Sequence, residues 1–469
     1  MISQAAQTIS VHSVSRASLV DTVAVLKDVI LPILLKGPLV RRRKAVGFAE
    51  RRHLDDKAVR LLQALRHKYG PGPLLLPIPF RAQAVLLARD DVSAVLEGSP
   101  EPFKAATLEK VAALSHFEPS AVLASHGPER TIRRELNERT LETGCEMHSL
   151  AGQLAEVIAQ EMDIVAHEAI KKGVLDWDGF FTGWFRMVRR IVLGASARDD
   201  VELTDKLQDL RYRSNYAFLR LKDRATREAV LNRLKHYVEC AEAGSLTARM
   251  AAAYTHPAQM PHHQLPQYLF AFDPGAMASF RTLALLGSHP EAAAEVEAEL
   301  EQRKDETAPR LHLLKACFLE ALRLWPTTPA ILRETTRRVD WAQGHLDPST
   351  HIIIFTPFFH RDSETLTEAN TFNPRLWTDG VSRPDLALVP FSHGPVICPA
   401  AHFVPMVATL ALRRLLEQMS LRLDHPERVN PKRLPGTLDN FTLSFSATRR
   451  AGRHVSPGAS GAAANLQGS

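Results

Sequence analysis

The residues best suited to chemistry surround Cys398, in the segment PFSHGPVICPA at positions 390–400. A cysteine binds iron as a thiolate, which needs neighbouring groups that stabilise negative charge on sulfur. Gly394 allows a tight turn beside the sulfur, and Phe391 can shield it from water. Pro399 is predicted to open a helix whose N-terminus would also favour the anion. A lone cysteine on a loop is more often inert, so the interpretation depends on further motifs.

A carboxylate and a guanidinium share one face of a predicted helix upstream. Glu320 and Arg323 lie three residues apart in the apolar pattern Leu311–Leu324, so their side chains can pair. Exposed pairs of this kind contribute only about 0–1 kcal/mol. Large apolar neighbours flank this pair, which predicts a buried network instead. An extended segment, Pro329–Arg333, follows the helix.

Together these motifs resemble those of the cytochrome P-450 family of haem-thiolate enzymes. Its F-x-x-G-x-x-x-C loop is matched by Phe391, Gly394 and Cys398, and its E-x-x-R pair by Glu320 and Arg323. Further matches in the family's order are the P-x-x-x-R of residues 329–333, His360-Arg361-Asp362, and Phe372-Asn373-Pro374 with Trp377. The resemblance covers residues 311–412 and extends more loosely back to about residue 60.

The resemblance implies a mainly α fold with small β-sheets, the cytochrome P-450 fold, and haem b (iron protoporphyrin IX) as cofactor. Cys398 would be the iron ligand. Two arginines one helical turn apart match a region that holds a haem propionate, and a third matches another propionate position. The basic residue that the family places two before the cysteine is absent, because Val396 stands there. The expected cofactor-binding residues are Arg130, Arg134, Arg333, Phe391, Gly394 and Cys398.

One departure from the family pattern lies in the predicted helix Leu265–Gly287. Asp273 occupies the acid position over the oxygen site, whereas Pro274 replaces the threonine that helps to deliver protons. A proline removes one helical N–H and pushes away the carbonyl four residues earlier, here that of Phe270. We therefore expect a kink, a carbonyl free to hold a water molecule, and Asp273 with that water as the catalytic proton relay. The alternative is a structural kink with Asp273 exposed or capping.

The expected substrate pocket has apolar walls, which favours a hydrophobic small molecule. Apolar residues at such positions are just as often part of an ordinary core. The pocket residues expected from the resemblance are Phe270, Ala271, Met277, Ile331 and Phe441.

Three classes of function stay open. The favoured one is a monooxygenase that inserts one oxygen atom from dioxygen, with electrons from a ferredoxin and its reductase by family resemblance. Pro274 keeps open a second class, a peroxide-using peroxygenase or a haem-thiolate dehydratase or isomerase, because these chemistries do not need the threonine. The third is a helical binding protein without redox chemistry.

The composition suits one large cytoplasmic domain, which we expect to be monomeric. The chain has 469 residues, 45% of them hydrophobic, and the predicted haem domain spans residues 54–455 without a glycine-rich linker. Its four cysteines form neither a disulfide framework nor a zinc pattern, which favours a reducing compartment. A net charge of +6 without a basic, aromatic-interleaved stripe gives no support for nucleic-acid binding.

Residues 1–53 are predicted to form an N-terminal arm, and residues 456–469 a disordered tail. The segment Val20–Leu35 is apolar, but its charges and Pro32 argue against a membrane span, and it lacks a signal-peptide cleavage pattern. Four basic residues at 41–44 would allow the arm to rest on an anionic membrane, although packing on the domain is favoured.

Helical periodicity dominates the chain, and long helices with few strands argue against a doubly wound sheet. The predicted helices are Leu54–Tyr69, Pro128–Leu141, Ser149–Lys172, Val201–Leu219, Arg224–Ala243, Leu265–Gly287, Ala292–Arg303, Leu311–Leu324 and Ala401–Met419. The predicted strands are Leu74–Pro79, Gln83–Leu87, Ile331–Thr335, Ile352–Phe355 and Phe441–Ser446.

Overall fold

Helices make up most of the structure, a computed structural model that describes residues 13–79, 81–377 and 380–450. The first helices are α1 (Leu19–Val25), α2 (Leu31–Lys36), α3 (Arg43–Arg51), α4 (Leu54–Tyr69), α5 (Arg89–Glu97) and α6 (Leu108–Leu114). Next come α7 (Gly127–Leu141), α8 (Ala151–Lys172), α9 (Trp177–Leu193), α10 (Val201–Ser214), α11 (Arg224–Glu239) and α12 (Leu246–Ala253). The last are α13 (Pro261–Ser288), α14 (Pro290–Gln302), α15 (His312–Leu324), α16 (Thr356–His360) and α17 (Phe403–Gln418).

Short strands form small sheets beside the helices. The strands are β1 (Pro73–Leu76), β2 (Gln83–Leu86), β3 (Phe103–Lys104), β4 (Val174–Asp176), β5 (Ala330–Thr335), β6 (Val339–Trp341), β7 (Gly344–Leu346), β8 (His351–Phe355), β9 (Met419–Leu423) and β10 (Ser444–Arg449). One sheet has the order β1-β2-β8-β5-β3, a second has the order β4-β10-β9, and β6 pairs with β7. The strand β2 runs parallel to β8, whereas β5 and β8 are antiparallel.

Helix α13 lies at the centre of the helical part. Every residue from Gly275 to Leu286 is buried, so this part of the helix is enclosed by the protein on all sides. It packs against α9, α11, α15 and α17. The segment that carries Cys398 leads into α17, so the fold places the cysteine loop beside this central helix.

Most predicted elements are present, with several corrections at their boundaries. Helix α4 has the predicted bounds, whereas the helix predicted to reach Leu219 ends at Ser214. Helix α17 begins at Phe403, so the prediction that Pro399 opens this helix is wrong. Phe441 was predicted to begin a strand, but it lies in the 3-10 turn Asn440–Thr442, whose N-cap Asp439 accepts a hydrogen bond from the Phe441 N–H.

Helix α9 has no counterpart among the predicted elements. Its sequence combines glycines with bulky aromatic residues, which are poor helix formers by propensity. We attribute the helix to its packing against α8. A Cβ on Gly183 would lie 2.1 Å from Val165 Cγ2 of α8, so only a glycine fits between the two helices. The glycine therefore allows two helices to approach closely.

The described part of the N-terminal arm packs on the domain through one face. Val25, Val29 and Ile33 are buried in the same cluster as residues of α4 and the larger sheet. The opposite face leaves Leu19 and Val20 more than 70% exposed. None of the helices described is both long and apolar enough to cross a membrane. The predicted disordered tail lies outside the described residues.

Candidate active site

Cys398 closes a loop that folds back on itself before α17. Its backbone N–H donates to the carbonyl of Phe391 over 2.9 Å, which joins the two ends of the predicted motif. Both residues pack against the main core and yet remain partly accessible. Burial raises the pKa of the thiol, whereas a hydrogen bond from the backbone of Ala400 and the charge of Arg134 lower it.

Gly394 is required by the geometry of this loop. Its φ of +68° lies in the left-handed region, where a side chain is strained. A Cβ there would stand 2.6 Å from the carbonyl oxygen of Leu96, in α5. The loop therefore rests directly on the backbone of α5.

Two of the predicted arginines reach the cysteine loop. The Nη1 atom of Arg134 donates to the Ile397 carbonyl, one residue before the cysteine, over 2.7 Å. Arg333 donates from Nη2 to Ser392 Oγ over 3.1 Å and from Nε to Ser99 Oγ over 2.8 Å. These bonds fix the loop from α7 and from β5.

A group of positively charged side chains, Lys110, Arg130 and Arg333, lies next to this loop. Among the residues described, none of the three forms an ion pair, and their hydrogen-bond acceptors are backbone carbonyls and serine hydroxyls. Burial, followed by repulsion from the other two, lowers the pKa of Lys110 well below its usual value. Burial also lowers the pKa values of both arginines to about 10. Buried cations without counterions favour an anionic ligand.

Lys110 was not predicted from the sequence. It belongs to the seven-residue helix α6, which matches no motif. Lys110 lies 20 residues before Arg130 in the chain. It meets the two arginines only through the fold. It adds a basic side chain to a site where the family's basic residue before the cysteine is replaced by Val396.

The predicted ion pair between Glu320 and Arg323 is confirmed as the centre of a buried network. The two side chains form two hydrogen bonds of 2.6 and 2.7 Å, and both are fully buried. Arg323 also donates to four backbone carbonyls, those of His360, Glu368, Ala369 and Thr371. Glu320 accepts from the backbone of Asn373 and from the indole of Trp377. The network ties α15 to the segment that leads to the cysteine loop.

Asp273 is buried inside α13, so the alternative of an exposed or capping carboxylate is wrong. Its Oδ2 accepts a 2.6 Å hydrogen bond from Arg211 Nη2, and its Oδ1 has no partner among the described residues. Burial raises the pKa of Asp273, and Arg211 lowers it. The helix continues through Pro274 without a break, and the expected kink stays a prediction.

No sequence motif predicts the second buried carboxylate, Glu118. It lies in the segment between α6 and α7, and neither of its oxygens has a partner among the described residues. Burial raises its pKa well above the usual value, and the charge of Arg211 opposes this shift. The charge of Arg211 therefore lowers the pKa of both acids, Asp273 and Glu118.

The structure brings only some of the expected substrate residues together. Met277 and Phe441 line one cavity between α13 and the turn before β10. Ala271 packs, partly exposed, on the same core as Cys398. The ring of Phe270 lies 4.1 Å from the guanidinium carbon of Arg211, and Ile331 belongs to a different core cluster, under the larger sheet.

A thiol on a folded loop, beside a central helix and cations without ion-pair partners among the described residues, is the arrangement that a protein of the haem-thiolate class needs. Comparisons with known proteins agree with this class. Residues 268–442 match the family model described as Cytochrome P450. The chain is also similar to a solved structure described as retinoic acid bound cyanobacterial CYP120A1, with a TM-score of 0.67 and 16% identity, covering 83% of this chain and 94% of that one.

Curated relatives match a shorter part of the chain. Pentalenene oxygenase of Streptomyces avermitilis is 31% identical over 176 residues, which are 35% of this chain and 39% of the relative. Cytochrome P450 709B3 of Arabidopsis thaliana is 35% identical over 144 residues, which are 29% and 26%. The chain thus spans well under half the length of these relatives. Residues 268–442 therefore resemble the cytochrome P450 family, and the fold is similar to that of the solved structure.

Proteins of this superfamily bind haem b, and the residues of this site fit that group. Haem b offers an iron for a sulfur ligand and two propionate carboxylates for cations. Cys398 is a free thiol, and the buried Arg130 and Arg333 and the half-buried Lys110 lack carboxylate partners among the described residues. The donor set of the protein therefore complements the cofactor in both chemistry and charge.

Proposed function

We propose that this chain is a haem-thiolate monooxygenase that inserts one oxygen atom from dioxygen into a hydrophobic small molecule. The observation that carries the proposal is the free thiol of Cys398 beside the buried Arg130 and Arg333 and the half-buried Lys110, none of which has an ion-pair partner among the described residues. A haem bound there would supply the activation of dioxygen, favoured by an electron-rich thiolate. The protein would supply binding, orientation and protons.

Each side chain of the site has a defined role in this proposal. Cys398 would ligate the iron, with the Ala400 N–H and the charge of Arg134 stabilising the thiolate. Phe391 and its apolar surroundings would exclude water from the sulfur. The propionates would be held by the three cations, Lys110, Arg130 and Arg333.

Asp273 is the proposed proton relay. Its raised pKa and its unpartnered Oδ1 suit a group that holds or passes a proton inside the protein. The pair with Arg211 holds the carboxylate in place, and a movement of α10 would release it. In this role Asp273 and a bound water would replace the family's pair of an acid and a threonine hydroxyl, because Pro274 stands where the threonine would be.

Pro274 favours a second candidate, in which the oxidant is a peroxide or the reaction is a dehydration or isomerisation. Such chemistry does not need the hydroxyl that Pro274 removes. In the first candidate, electrons would come from a separate ferredoxin and its reductase, as the family resemblance suggests. We also propose a monomeric protein in the cytoplasm.

One experiment separates the two candidates and tests the relay. Product formation is measured with the haem-loaded protein, driven either by a ferredoxin system or by hydrogen peroxide, for wild type and Asp273→Asn. We expect the wild type to work with the ferredoxin system. Asp273→Asn should lower this rate on the order of 10²-fold, the scale of a lost general acid, and leave the peroxide-driven rate nearly unchanged.

The control variant is Asp163→Asn, which removes a half-exposed carboxylate paired with Arg414 on the surface. It should change neither rate. Product with peroxide alone would reject the monooxygenase in favour of a peroxygenase. Equal rates for Asp273→Asn and wild type under ferredoxin would reject the relay.

We also propose a peripheral contact with an anionic membrane. In addition to the exposed face of α1, the loop after α10 has exposed apolar side chains, with Phe218, Leu219 and Leu221 between 64% and 92% exposed. Tyr216 in this loop lies under the guanidinium of Arg42, 4.6 Å away, so the loop and the arm adjoin. Apolar side chains next to basic ones suit a membrane interface.

Flotation of the protein with vesicles tests this contact. We expect the protein to float with vesicles that contain phosphatidylserine and to remain at the bottom with purely zwitterionic ones. The triple change Phe218→Ser, Leu219→Ser and Leu221→Ser should abolish flotation. Failure of the wild type to float with either vesicle would contradict the proposal.

A further inference from the structure

A cavity of about 30 Å³ lies between the N-terminal arm, α13 and the turn before β10. A volume of 10–15 Å³ on this measure holds one water, so the cavity has room for about two oxygen-sized atoms. Met277 and Phe441 form its apolar side, and Arg41, Arg281 and Asn440 line it as well. The motifs of the cysteine site involve none of these three polar residues.

The charges that line this cavity are unbalanced. Lys36, Arg41 and Arg281 face a single lining carboxylate, Asp55. That carboxylate is already used, because it accepts hydrogen bonds of 2.6 and 2.8 Å from Lys36 and another from Thr437. The cavity therefore keeps an excess of positive charge.

Arg41 and Arg281 form no ion pair among the residues described. Arg41 donates to the carbonyls of Gly37 and Thr327, and Arg281 to those of Trp325 and Leu438. The pKa of each guanidinium is lowered to about 10 by burial, so both remain charged at neutral pH. Asp439 and Glu50 lie outside the cavity, and their charges raise the pKa of Arg281. Glu50 is itself paired with Arg428, 2.8 Å away.

Two hydrogen-bond donors at the cavity are buried and unsatisfied. The Nε of Arg281 has no acceptor among the described residues, nor does the side-chain amide of Asn440, which is 1% exposed. An unsatisfied buried polar group costs about 1–3 kcal/mol, so a ligand that accepts from both donors is favoured. A carboxylate is planar and offers two acceptor oxygens to such a pair.

We propose that this cavity binds the carboxylate of an amphipathic substrate whose apolar chain extends past Met277 and Phe441. Arg41 and Arg281 supply the charge, and Asn440 supplies a neutral donor. The inference rests on the proposed function only in calling the ligand a substrate, because binding can be measured without turnover. It narrows the substrate class from hydrophobic small molecules to hydrophobic carboxylic acids.

The test compares saturated fatty acids of 8 to 16 carbons with the alcohols of equal length, by calorimetry on the haem-loaded protein. At the best chain length we expect the acid to bind at least tenfold more tightly than the alcohol. Arg41→Gln should weaken binding of the acid about tenfold and leave that of the alcohol unchanged. Asn440→Ala should weaken the acid less, by about threefold.

Arg42→Gln is the matched control, because this adjacent arginine does not line the cavity and contacts Tyr216 instead. It should leave both affinities unchanged, and Arg41→Lys should retain most of the preference for the acid. Equal affinities for acid and alcohol in the wild type at every length would overturn the inference. So would inorganic phosphate that binds as tightly as the best acid, which would indicate a site for small anions only. Turnover of an uncharged substrate would leave the proposed function intact in either case.

Discussion

Replacing Cys398 with serine should abolish the red-shifted Soret band that a thiolate-ligated haem shows when reduced and bound to carbon monoxide. A serine hydroxyl is a far poorer anion than a thiol, so it cannot supply the same electron density to iron. Product formation should be lost together with the band. The measurement is a reduced carbon monoxide difference spectrum of protein produced with ample haem precursor.

Cys145→Ser and Cys240→Ser are the matched controls, because both cysteines are exposed and lie outside the site. Each variant should retain the band and the activity. A red-shifted band that persists in Cys398→Ser would contradict the assignment of the iron ligand, and with it the proposed function.

Glu320→Gln should cause a large loss of folding stability. Removing one partner of a buried ion pair leaves the other charge uncompensated, which typically costs about 3–5 kcal/mol. Arg323 would still be held by its carbonyl acceptors, but its charge would face no anion. The measurement is the free energy of unfolding from urea titration, together with the haem content of the purified protein.

Glu135→Gln provides a matched control in a pair of the same type. Glu135 and Arg139 lie one helical turn apart in α7, with both side chains about half exposed. Solvent screens such a pair, so the change should be within about 0.5 kcal/mol. Comparable losses for the two glutamates would mean that the buried network contributes little.

The parts of the site that sequence could predict are those carried by local spacing. The loop with Phe391, Gly394 and Cys398 and the pair in α15 are each contained in a few consecutive residues. Local spacing predicts which of these residues share a turn or a helix face. The bounds of α4 were predictable for the same reason, since its apolar period is regular.

The parts that sequence could not predict depend on contacts between distant segments. Lys110 joins the cation group because α6 is folded against β5, and Arg41 meets Arg281 across 240 positions of chain. Helix α9 forms in spite of weak local propensity, because Gly183 lets α8 approach. Neither periodicity nor motif spacing records such contacts.

The contact of Gly394 with the α5 backbone has a consequence for biosynthesis. The cysteine loop at 390–400 rests on residues 96–99 and on Arg333, all of which precede it in the chain and so emerge from the ribosome before it. A nascent chain thus carries the cations proposed to bind the propionates before it carries the sulfur. Porphyrin acquired early would be held only by its acidic edge, and the bond to sulfur could form only after the later cysteine loop had been made.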